Sequence, residues 1–202
     1  LYTLGLDLSI ELGDFPNTQL NLGNIAVVYL EQGQFAEASE ALDITIELDE
    51  SLNMPAILCA YLVDKARALI GLRDFDDVDT LLTRAQDMAN EAEDAEVQLH
   101  AAIERVRWQA FAGTLSTQDA INQLQTLAQT QDTESPELAE VLFAIWEIAP
   151  DAQNAERAAT LYRTLYEAMG VAIYRSRYQT ITGDNEALGA PTSLPPVTLD
   201  AP

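Results

Sequence analysis

Cys59 is the only cysteine of this 202-residue chain and His100 its only histidine. A thiolate beside an imidazole is the smallest nucleophile–base arrangement a protein can use, so a hydrolase built on Cys59 and His100 is the one thiol chemistry open to it. The surroundings favour packing instead. Leu58-Cys59-Ala60-Tyr61 reads as the apolar side of a helix, where a free cysteine acts as a small hydrophobe. Leu99-His100-Ala101-Ala102 is helical as well. A single cysteine excludes an internal disulfide, and with one histidine it falls short of the usual zinc ligand sets. No phosphate-binding loop and no Gly-x-Ser-x-Gly elbow occurs. The residues therefore predict no catalytic group, no metal site and no cofactor, and the chain is expected not to be an enzyme.

Acidic clusters are the other possible source of chemistry, as in Asp76-Asp77-Asp79 and Glu91-Glu93-Asp94. Carboxylates do acid–base or metal work only where they converge in a dry cleft. These runs fall at helix starts and turns, where acids favour the helix dipole and face water. Lysine plus arginine number 10 and aspartate plus glutamate 33, a formal charge of −23. That balance argues against nucleic acid and against an anionic membrane surface. Lys65 is the only lysine, a composition that suits a high-salt cytoplasm or, more simply, an ordinary acidic domain. With 48% apolar residues, the chain carries enough to bury a core. No run reaches the length of a membrane span. The start at Leu1 shows no signal-peptide pattern, and the low cysteine count fits a reducing compartment. A cytoplasmic location, and a chain cut from a longer protein or a processed one, are the corresponding expectations.

The elements that must position any such site follow from an internal period. Ala26, Phe35, Ala38 and Leu42 recur forty residues later as Ala66, Phe75, Val78 and Leu82. A third copy is read through Trp108, Phe111, Ala120 and Leu124, and a fourth through Trp146, Ala158, Tyr162 and Leu165. Apolar residues such as Leu22, Ile25, Ala26 and Tyr29 keep the i, i+3, i+4, i+7 spacing of a helix face. Pro16, Pro55 and Pro136 stand near predicted helix starts. Gly33, Gly71 and Gly113 stand where the first helix of each pair should end. The prediction is an all-α chain of helix pairs: 17–33 with 35–50, 55–71 with 75–92, 95–113 with 117–130, and 136–148 with 153–169. A half-repeat over 1–13 precedes them, because Gly5–Leu12 parallels Ala41–Leu48. A closing helix at 171–181 follows, then a proline-rich tail or linker over 183–202.

Asn24-Ile-Ala-x-x-Tyr29-x-x-x-Gly33-x-Phe35-x-x-Ala38 resembles the tetratricopeptide repeat. The second copy keeps Ala66 and Phe75, with Leu69 for the aromatic and Arg73 for the glycine. The period near forty looks like the longer-helix form found in sensor arms of bacterial signal-transduction ATPases and transcription regulators. The resemblance implies a right-handed α-solenoid of about four helix-turn-helix repeats over 1–182. Its role would be a protein-interaction scaffold that binds a peptide, or another domain of its parent chain, on the concave wall. The alternative it implies is a small-molecule sensor domain of a signal-transduction protein. Carried over by register, the wall positions would be Leu20, Asn24 and Val27, then Val63, Asp64 and Arg67, then Ala102, Arg105 and Gln109, then Phe143 and Glu147. Asn24 would hold a peptide backbone, with Val27 and Gln109 beside the ligand. Arg67 and Arg105 would either clamp an acidic peptide or pair with nearby acids such as Asp64, Asp74 and Glu104. Trp108, Trp146, Tyr162 and Tyr166 read as packing residues, and the oligomeric state is not specified.

Overall fold

The computed structural model describes residues 2–52 and 54–184, so the positions expected to form most of the proline-rich tail lie outside the described residues. Among the described residues it is all-helical, without strands. In chain order the helices are α1 (Tyr2–Leu12), α2 (Phe15–Glu31), α3 (Phe35–Leu52), α4 (Pro55–Leu72) and α5 (Val78–Glu91). They continue with α6 (Ala95–Phe111), α7 (Thr117–Ala128), α8 (Pro136–Ile148), α9 (Ala152–Met169) and α10 (Ala172–Thr182). No helix among the described residues is long and apolar enough to cross a membrane.

The punctuation of the sequence explains most of these limits. Proline stands in the first turn of α2, α4 and α8, where its missing N–H has no helical partner to lose. Acids that might have served chemistry serve as caps. The carboxylates of Asp14, Asp94 and Asp151 accept from the backbone N–H groups of Asn17, Val97 and Asn154 at 3.2, 3.1 and 2.8 Å. The left-handed residues that turn the chain from one helix to the next include Gly13, Gly33, Arg73, Glu93 and Gly113. Their numbers step by twenty or its multiple, half of the forty-residue period. Gly71 is not one of them. It lies inside α4, and the chain reverses two residues later, at Arg73 with φ 61°. Gly71 lacks a side chain for a different reason: a Cβ there would stand 2.5 Å from the ring of Phe35.

The chain divides into two compact units, 1–123 and 124–202, with the division falling inside α7. In the first unit each helix from α1 to α6 packs on the next, and α2 also packs on α4 and α4 on α6. The core repeats with the sequence. Ala26 and Ala66, Ala38 and Val78, and Leu42 and Leu82 are all fully buried. The forty-residue step continues to Val106, which is also buried, so Val106 and not Trp108 fills the small station in the third copy. Ala26, Leu30, Ala38, Leu42, Tyr61 and Ala68 form one cluster. Leu62, Val63, Ala66, Ile70, Val78 and Leu82 belong to the next.

In the second unit α8 packs on α9, and α9 on α10. Its centre is aromatic. Phe143 meets Trp146 at 5.4 Å and the edge of Tyr162 at 6.0 Å, and the guanidinium of Arg177 lies 4.2 Å above the Phe143 ring. Tyr162 is completely buried and its hydroxyl bonds to Glu140 at 3.1 Å.

Candidate functional site

The forty-residue step aligns α2, α4 and α6 position by position. Leu20 matches Ala60 and His100, Asn24 matches Asp64 and Glu104, and Val27 matches Arg67 and Arg107. On each helix the three residues lie at i, i+4 and i+7, one stripe of a 3.6-residue helix. Glu31 continues the stripe on α2. Packing of α2 on α4 and of α4 on α6 sets the stripes side by side as a wall.

The wall is apolar at its first helix and charged at the next two. Leu20 and Val27 are 46% and 39% exposed, and Asn24 is partly buried between them. On α4, Arg67 reaches back to Glu31, with Nη2 and Oε1 2.8 Å apart. On α6, Arg107 donates to both oxygens of Glu104 at 2.6 Å, and both side chains are nearly buried. Burial pushes the carboxyl of Glu31 above its ordinary range, against the pull of Arg67 and, more weakly, Arg107. Asp64 sits among all of these. Burial pushes its carboxyl up to about 6. Arg67 and His100 oppose that shift, while Glu104 and Glu31 reinforce it. Three helices thus bring three carboxyls, two guanidiniums and the only imidazole into one electrostatic network.

The structure places the residues expected from sequence as follows. Asn24, Val27, Asp64 and Arg67 lie on the stripes, whereas Val63 is buried in the core. Arg105 turns away towards α5, where its guanidinium bonds Asp79 and, at 3.1 Å, the hydroxyl of Thr83. Arg67 and Arg105 are therefore held by carboxylates on different helices and are not brought together as a clamp. Gln109 is partly buried, and its carbonyl accepts from the N–H groups of Thr114 and Leu115, both at 3.0 Å, closing the turn after α6. Phe143 is buried in the aromatic centre of the second unit, and Glu147 is partly buried on the same helix.

Sequence reading weighed His100 only as a base for Cys59 and Glu104 only as an acid near the arginines, and it did not place on the wall Glu31, His100, Glu104 and Arg107. The signal was present: adding forty to Ala60, Asp64 and Arg67 lands on the last three. Placing Trp108 at the small station slipped the third copy by two residues and drew attention to Arg105 instead.

Cys59 is buried in the core. Burial, and secondarily the charge of Asp94, push its thiol above the ordinary value, opposite to the lowered pKa of a reactive cysteine. Among the described residues no group of three or more histidine, cysteine, aspartate or glutamate side chains is placed to hold a metal ion. No model of a known protein family matches this chain, and no curated protein matches it.

Proposed function

We propose that the chain is a non-catalytic interaction module. In this reading the hairpins α2–α3 and α4–α5, followed by α6, are successive repeats of a right-handed α-solenoid of the tetratricopeptide kind. Hairpin α8–α9 is built to the same plan. The stripes on α2, α4 and α6 receive a peptide segment or a partner domain.

One observation carries the reading. The residues aligned by the forty-residue step lie on three helices packed in succession, α2 on α4 and α4 on α6, and form a wall that is part apolar and part charged. Such a wall suits a peptide. Leu20 and Val27 offer contact area, Asn24 offers an amide to a peptide backbone, and the Glu31–Arg67 pair offers polar groups already held in position. Ion pairs fixed before binding also lower the ordering cost of association.

The experiment is selection of binding peptides from a random library, followed by titration of the wild-type chain and of Asn24→Ala/Val27→Glu with the winners. The expected result is binding that weakens at least about tenfold in the variant, the scale of losing a central contact. Peptides that bind both proteins equally, or a library that returns no binder, overturn the proposal.

A further inference from the structure

We propose that a second site, a groove running along α5 on the side of α3, binds an extended basic peptide segment. A cleft and the open helix face beyond it make the groove. The first, of about 510 Å³, opens between α3, α4 and α5. Its floor is apolar, made by Ile46, Leu62, Leu69 and Leu81, and Asp74 and Asp77 stand in its lining. The second is the open face of α5 itself, lined by no other helix, and it continues past Asp87, Met88 and Glu91. The two share Thr80 and Arg84, so they form one track. From Asp77 to Glu91 the track follows α5 for about 21 Å at 1.5 Å per residue, a length that roughly six residues of extended chain cover. A compact small ligand would fill only one end of it.

Charge selects the occupant. The first unit carries 22 acidic and six basic side chains, and every one of the six is already engaged. Lys65 holds Asp43 and Ser39 at 2.7 Å each. Arg84 holds Glu50 at 2.7 Å. Arg67, Arg105 and Arg107 are paired as described above, and Arg73 lies 4.0 Å over the ring of Phe111. The cations in the groove are therefore neutralised by carboxylates of the chain itself. Among the described residues Asp74, Asp77, Asp87 and Glu91 hold no ion pair and no side-chain hydrogen bond, and their charge faces the track uncompensated. A neutral apolar peptide would desolvate them without return. Lysine and arginine instead lay an aliphatic stem on Ile46, Leu81 or Met88 and carry a cationic head to the carboxylates. An anionic ligand is repelled. The groove lies on the α3–α5 side and shares no residue with the wall on α2, α4 and α6, so it stands independently of the reading above.

The test is fluorescence anisotropy with a fluorescein-labelled octapeptide of alternating arginine and lysine, at about 0.15 M salt to screen distant charge. Three proteins are compared with the wild type. The first is Asp74→Asn/Asp77→Asn/Asp87→Asn/Glu91→Gln. The second is Thr80→Trp, which blocks the point where the cleft meets the helix face. The third is Asp7→Asn/Glu11→Gln/Glu37→Gln/Glu156→Gln, which removes the same charge elsewhere. The groove quadruple and Thr80→Trp should each weaken binding about tenfold, as when several ion pairs each worth a factor of a few are lost, and the third should change it less than about twofold. Equal losses in the two quadruple variants would mean attraction by the whole acidic surface, and that outcome, like absent binding or an unaffected Thr80→Trp, overturns the proposal.

Discussion

Asp49 and Ala89 stand forty residues apart at the same station of α3 and α5, and neither exposes any surface. The exchange of a carboxylate for a methyl is not isolated. Gln19 stands where Cys59 stands one period later, Tyr61 where Ala101 stands, and all four are buried. Helices α2, α3 and α4 thus seat a buried polar trio where α4, α5 and α6 have apolar residues. Gly23 makes room for it, since a Cβ there would lie 2.2 Å from the Tyr61 hydroxyl. Burial raises the carboxyl of Asp49 above its ordinary value against the influence of Gln19. Burial, aided by the charges of Asp49 and Asp64, pushes the phenol of Tyr61 up to about 12.

A buried acid with a raised pKa favours the fold only while protonated. Its contribution is fully present below the unfolded-state pKa and is lost as pH rises through the higher folded-state value. Asp49→Asn should therefore stabilise the chain at pH 7, by about 1–2 kcal/mol on the scale of burying an uncompensated polar group. The gain should vanish towards pH 3. Urea titrations of both proteins across that range measure it, and a variant less stable at pH 7 would refute the assignment.

Asp64 obeys the same sign in a narrower window. Its carboxyl moves from 3.8 in the unfolded chain to about 6 in the wall, so its contribution fades between those values as pH rises. Replacing it by asparagine should flatten that part of the pH–stability curve by about 1–3 kcal/mol. An identical slope in variant and wild type would show that the wall does not desolvate this group.

The Glu31–Arg67 pair is only 18% exposed at each side chain. Arg67→Ala should cost about 2 kcal/mol, because it removes the guanidinium bonded to a desolvated carboxylate. Adding Glu31→Gln should recover part of the loss. A double-mutant cycle read by chemical denaturation reports the coupling, and additive losses would argue that the pair is too well hydrated to matter.

Gly71→Ala should destabilise by about 1–3 kcal/mol, the usual cost of forcing an atom into filled space, because the new methyl meets the Phe35 ring. Phe35→Leu should then cost less in the Gly71→Ala background than in the wild type. Thermal unfolding of the four proteins tests the contact.

Glu93 is exposed and left-handed, with φ 55°. Glycine adopts that conformation without the steric penalty of a side chain. Glu93→Gly is expected to raise stability by about 0.5–1 kcal/mol, visible as a higher Tm, whereas glycine elsewhere in a helix lowers it.

The helices were legible because their signals are local. Apolar spacing marked their faces, and prolines marked the starts of α2, α4 and α8. The wall was legible on α2 and α4 but slipped on α6, because a large aromatic at Trp108 was matched to a small station that Val106 fills. Asp49 was hidden for a different reason. It sits among Glu47, Asp43 and Glu50, a pattern that reads as a solvated face, and only its register with Ala89 marks it as interior. Gly71 looked like a helix stop, since a glycine that ends a helix and one that admits a neighbouring ring are the same letter.

The left-handed residues at 13, 33, 73, 93 and 113 divide the first unit into segments that lean mainly on the next helix or the next but one. A chain tied together over such short spans has few long threads for tension to cut at once. Pulled from its two ends, it should yield one segment at a time, in a sawtooth of small force peaks. On release it should rewind from whichever segment was still wound.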